Sequence, residues 1–110
     1  MTLSGKIVIV TGASRGIGAE SAKEFAKEGA TVVLVAQDEK SLTQVANEIG
    51  SQARVHALNI AKFEQVEKMI SDTLNEFGKI DVVINNAGTI SPIKRVMDIQ
   101  IDDWDQVIDV

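Results

Sequence analysis

The sequence predicts an α/β fold, a parallel sheet of about four strands with helices on both faces. Three observations predict it. Short β-branched runs alternate with segments of helical period. All but one of these runs are almost continuously apolar, as strands are when both faces are covered. The connections between runs exceed a dozen residues, the length that a helical crossover between parallel strands needs.

The first run is Lys6–Thr11 (KIVIVT). Ile17, Ala22, Phe25 and Ala26 then share one helical face, and Gly29 stands where a left-handed cap would end the helix. Thr31–Ala36 (TVVLVA) is the second strand. Asp38 is placed to cap a second helix with the inner stripe Leu42, Val45, Ala46 and Ile49, closed by Gly50. Ala53–Leu58 (ARVHAL) is shorter on apolar residues and suits a sheet edge. The third helix carries Phe63, Val66, Ile70, Leu74 and Phe77, and Gly78 follows. Ile80–Asn85 (IDVVIN) is the fourth strand. Thr89–Gln100, with the single proline Pro92, reads as irregular. A last helix is expected from about Asp102, with Trp104, Val107 and Ile108 facing inward.

A chain of 110 residues suits one domain, residues 1–110. Its 45% apolar and 25% charged residues are those of an ordinary globule. The net charge of −5 argues against binding nucleic acid, because few cations are present to replace the phosphate counterions. There is no cysteine, which excludes disulfides and thiolate chemistry, and one histidine excludes a multi-histidine metal site. No apolar run approaches the ~20 residues of a membrane span, and the N-terminus lacks a signal-peptide pattern. A cytoplasmic address is the default expectation.

The chemistry concentrates where the first strand meets the first helix, at Thr11-Gly12-Ala13-Ser14-Arg15-Gly16-Ile17-Gly18. Gly12 permits a sharp turn, Gly16 lets a pyrophosphate approach the backbone, and Gly18 lets the helix press on the sheet. The amino end of that helix directs free N–H groups and a positive dipole at an anion. A tight connection without a ligand is the plain alternative for the glycines alone. The strand before and the helical stripe after supply the context of a phosphate site.

TGASRGIG at 11–18 together with NNAG at 85–88 resembles the short-chain dehydrogenase/reductase family, and the resemblance runs along the whole chain in order. It implies a Rossmann-like fold, with about four strands in the order 3-2-1-4, and a nicotinamide dinucleotide as partner. Arg15 and Leu58-Asn59-Ile60 are similar to the NADP-dependent 3-ketoacyl-carrier-protein reductases. By resemblance, Gly12 to Gly18 hold the pyrophosphate and adenosine ribose. Ser14 meets ribose or phosphate oxygens, and Ile17 lies under the pyrophosphate. Asn59 bonds the adenine amino group, Ile60 packs on the ring, Asn86 lines the ribose, and Ala87 and Gly88 let the backbone approach. Asn85 ties neighbouring strands. Ser14 and Asn59 also suit plain turns, and Arg15 a solvated cation. His56 matches no family role and reads as a partly exposed strand side chain.

Cofactor choice turns on the end of the second strand, where an acid accepts from the 2′-hydroxyl of NAD. This chain has Ala36-Gln37 there, and Asp38 is read as the helix cap. Arg15 suits a 2′-phosphate through its planar fork. Together these favour NADP over NAD.

The family's chemistry uses an Asn, a Ser, a Tyr and a Lys four residues after the Tyr. This chain has no tyrosine, so no catalytic residue is assigned in it. The expectation is the nucleotide-binding half of an NAD(P)-dependent oxidoreductase, truncated relative to the family fold and inactive alone. The alternative is a half-fold that self-associates as a scaffold without cofactor. Self-association is expected through strand 80–85, left as an apolar edge, and helix 102–110.

Overall fold

The computed structural model of the chain describes residues 3–86, 91–100 and 106–109. In order the elements are β1 (Ile7–Thr11), α1 (Gly16–Lys27), β2 (Thr31–Ala36), α2 (Glu39–Ile49), β3 (Ala53–Ala57), α3 (Phe63–Phe77), β4 (Val82–Asn85), α4 (Ser91–Gln100) and β5 (Gln106–Asp109). The sheet runs β3-β2-β1-β4-β5, and every pair is parallel. The expected 3-2-1-4 order is present, extended by one strand.

The near-continuous apolar strands have a direct cause: alternate residues feed two cores. On one face Ile7, Ile9, Val33, Val35 and Val83 meet Val66, Met69 and Ile70 of α3 and Ile93, Val96 and Met97 of α4. On the other, Val8, Val10, Val32, Leu34 and Ile84 meet Ala19, Ala22 and Ala26 of α1 and Leu42 and Val45 of α2. Helices therefore cover both faces, and β3 lies at an edge. Asp81 fastens the start of β1 to the approach of β4. Its carboxylate accepts from the Ile7 N–H at 2.8 Å, and its own N–H donates to the Ile7 carbonyl at 2.9 Å.

Three expectations change. The segment read as irregular forms α4, Ser91–Gln100. Pro92 falls in its first turn, where a missing N–H costs no helical bond. Ile93, Val96 and Met97, spaced i, i+3, i+4, are buried against α3 and the sheet. Second, residues 106–109 are a strand and not part of a helix, pairing Val83 with Val107 and Ile84 with Ile108. Nine residues make a marginal helix alone. β-branched Val107 and Ile108 instead satisfy the outer backbone groups of β4. Trp104 lies outside the described residues. Third, β4 has a neighbour on each side, so strand 80–85 offers no free edge for self-association.

Among the described residues no helix is long and apolar enough to cross a membrane, and no acidic or histidine cluster suits a metal ion.

Candidate functional site

The strand order reverses between β1 and β4, and the carboxyl ends of β1, β2, β3 and β4 open on that crevice. Thr11, the last residue of β1, is fully buried with its hydroxyl in a knot. The hydroxyl donates to Asn85 Oδ1 at 3.0 Å and accepts from the Asn86 N–H at 3.0 Å. Asn85 is itself buried, and so performs the strand-tying role expected of it. The knot fixes the end of β4 against the glycine loop. Sequence reasoning gave Thr11 no separate role; its signal is a hydroxyl at a strand end facing an Asn-Asn pair.

From Thr11 the chain turns through Gly12 at φ +64°. Ala13 is fully buried and its N–H donates to the Val35 carbonyl at 3.2 Å, anchoring the loop to β2. Ser14 is half-buried and Arg15 exposed. Arg15 is the N-cap of α1 in extended backbone, and its side chain makes no capping hydrogen bond. The Ala19 N–H is the first to reach back, to the Arg15 carbonyl at 3.4 Å. The amides of Gly16, Ile17 and Gly18 thus precede the helical ladder.

The two later glycines of the loop have opposite surroundings. Gly16 has φ +62°, and an added Cβ would meet nothing within 4 Å, so this backbone is open to a ligand. At Gly18 a Cβ would overlap the Gly12 carbonyl oxygen and come within 2.9 Å of Asn86 Nδ2. The loop, α1 and the end of β4 touch at that point. Ile17 is 63% exposed, so it does not share the packed face with Ala22 and Ala26 that its spacing suggests. The packed face of α1 is Gly18, Ala19, Ala22 and Ala26, small residues that bring the axis close to the sheet. Ile17 is turned away from them and stands beside the open amides.

A cavity of about 170 Å³ lies over the strand ends, lined by Thr11, Gly12, Val35, Ala36, Gln37, Leu58 and Ile60. Gln37 is exposed at its rim. Asp38 is engaged elsewhere, as its capping role requires. Its carboxylate accepts from the Ser41 hydroxyl at 2.7 Å and the Ser41 N–H at 3.3 Å, and these bonds hold its pKa below 3.8. Asn59 follows β3 between the cavity residues Leu58 and Ile60. Asn86 is half-buried, with its side-chain amide 3.5 Å from the Gly12 carbonyl oxygen. Ala87 and Gly88 lie outside the described residues. The structure therefore gathers Gly12, Ser14, Arg15, Gly16, Ile17, Gly18, Gln37, Asn59, Ile60 and Asn86 around the carboxyl ends of the strands. His56 is apart, half-buried in a hollow of about 300 Å³ with Gln65, Lys68 and Asp72.

A reversed parallel sheet with a glycine-lined, uncapped helix start at its switch point defines a Rossmann-like protein. The family model for short chain dehydrogenase matches residues 6–110, and the chain belongs to that family. Its relatives include an uncharacterised oxidoreductase of Staphylococcus epidermidis. The two are 35% identical over 105 residues, covering 96% of this chain and 45% of the relative. A metagenomic short-chain oxidoreductase solved in complex with NADP is 40% identical, with a TM-score of 0.76 over 81% of this chain and 42% of that one. A 3-ketoacyl-(acyl-carrier-protein) reductase from Brucella melitensis complexed with NADH is 33% identical, with a TM-score of 0.73 over 91% of this chain and 46% of that one. The chain spans under half the length of these relatives.

Proposed function

We propose that residues 1–110 form the dinucleotide-binding portion of an NAD(P)-dependent oxidoreductase, and that they hold NADP in preference to NAD. The observation that carries this is the amino end of α1. Its first amides have no capping side chain, and the adjoining Gly16 leaves the space of a Cβ empty. That is a cradle for a pyrophosphate, which accepts from backbone N–H groups and gains from the helix dipole. Ser14 and Ile17 flank the cradle. The cavity at Leu58 and Ile60 takes the adenine, with Asn59 at its edge, and Asn86, Ala87 and Gly88 serve the ribose side.

The preference for NADP rests on charge. Gln37 follows the end of β2, where an acid would accept from the 2′-hydroxyl, and Asp38 beside it is held by Ser41. Arg15 is exposed and forms no ion pair among the described residues, so its guanidinium is available to a 2′-phosphate. When bound, the nicotinamide supplies hydride exchange with a carbonyl or alcohol. This chain has no tyrosine for the accompanying proton, and we expect no carbonyl reduction by it alone.

Titration of the wild type and Gly16→Ala with NADPH and NADH tests both claims. NADPH is expected to bind the more tightly, and Gly16→Ala to weaken it by about 10- to 100-fold, the worth of a charged hydrogen bond. Unchanged binding by Gly16→Ala would overturn the cradle. A preference for NADH would overturn the cofactor assignment.

A further inference from the structure

We infer that Gln65, a residue outside the crevice, is a positioning residue for the adenine end of the nucleotide site. The inference rests on the site proposed above. Gln65 lies in the first turn of α3, and its side-chain oxygen accepts from the Asn59 backbone N–H at 2.8 Å. Asn59 then closes the turn on itself. Its Oδ1 accepts from the Ala61 N–H at 3.0 Å, and its carbonyl accepts from the Lys62 N–H at 2.9 Å. Just before it, the Leu58 N–H donates to the Ala36 carbonyl at 2.9 Å, fixing the turn to β2.

These bonds have a chemical consequence. The Ala61 N–H needs an acceptor, so it determines which end of the Asn59 amide is oxygen. That oxygen keeps a second lone pair for an exocyclic amino group. Leu58 and Ile60, on either side of Asn59, line the cavity. Gln65 does not line it; its side chain borders the separate hollow of His56. It therefore reaches the base only through the Asn59 backbone. Because Gln65 is exposed, water can replace its bond at small cost in stability. Water cannot hold the turn at one position, and a directional contact to the base depends on that position.

The test is a cycle over protein and ligand. Affinities for NADPH and for its hypoxanthine analogue, which lacks the 6-amino group, are measured on the wild type, Gln65→Ala and Gln65→Glu, with thermal midpoints alongside. The wild type is expected to favour the adenine form by about three- to tenfold. Gln65→Ala loses most of that preference with unchanged affinity for the analogue, and Gln65→Glu, whose carboxylate accepts the same N–H, restores it. An unchanged preference in Gln65→Ala, or equal weakening of both ligands, would overturn the assignment while leaving the nucleotide site standing. A wild type that binds both forms equally would overturn the contact between Asn59 and the base, and the role of Gln65 with it. A wild type that binds neither would overturn the nucleotide site itself.

Discussion

Two turns border the same crevice and are built by opposite means. The loop from Gly12 to Gly18 owes its shape to missing side chains: positive φ at Gly12 and Gly16, and no room for a methyl at Gly18. The turn from Leu58 to Lys62 has no glycine and is closed by side-chain bonds from Asn59 and Gln65. A surface that offers bare amides to an anion fails when atoms are added. A turn held by side-chain oxygens fails when acceptors are removed, and it fails gradually, because water can substitute.

The largest effect is expected at the first turn. Gly18→Ala would drive a methyl into the Gly12 backbone carbonyl, which cannot swing aside as a side-chain end can, and against the Asn86 side-chain amide. A loss of about 1–3 kcal/mol in urea unfolding is expected, as for an overpacked core. Gly16→Ala separates the two duties of the loop. Its Cβ meets nothing, so its stability loss is only the left-handed backbone cost of about 1–2 kcal/mol, while the loss in NADPH affinity described above falls on it alone. If Gly18→Ala unfolded no more easily than the wild type, the loop would not be shaped as described.

A smaller effect belongs to the second turn. Residues 12–18 hold no histidine, whereas the β3–α3 side holds His56. Burial pushes its imidazole below 6.5; Asp72 and Glu76 oppose this, and Lys68 adds to it. The folded chain therefore resists a proton that the unfolded chain accepts. Stability is intact above 6.5 and falls as pH drops below it, until the depressed folded value is passed. Urea midpoints compared at about pH 7 and about pH 5 should fall less for His56→Gln than for the wild type. Equal falls would remove His56 from the account.

What the sequence revealed, and what it hid, follows the same division. Strands β1, β2 and β4 announce themselves because burial on both faces demands unbroken runs such as Ile7–Val10. The glycine loop is readable because only glycine fits there. The helix α4 was missed because Pro92 reads as a breaker until it is placed in a first turn, and only Ile93, Val96 and Met97 mark its inner face. Residues 106–109 read as helix from sequence because Val107-Ile108 suits either period, and only pairing with β4 decides between them. Ile17 reads as one face with Ala22, Phe25 and Ala26 because helical spacing gives a face without saying where the first turn begins to pack. Thr11 and Gln65 make hydrogen bonds to residues distant or out of phase in sequence, which no periodicity reports.

Backbone amide NMR during an NADPH titration decides whether a dinucleotide lies against the bare amides at the start of α1. The largest shift changes are expected at Gly12 through Gly18, followed by Gln37, Asn59, Ile60 and Asn86. Shifts confined to the polar groove between α1 and α2, at Lys23, Glu48 and Gln52, with the loop unmoved, would contradict that placement.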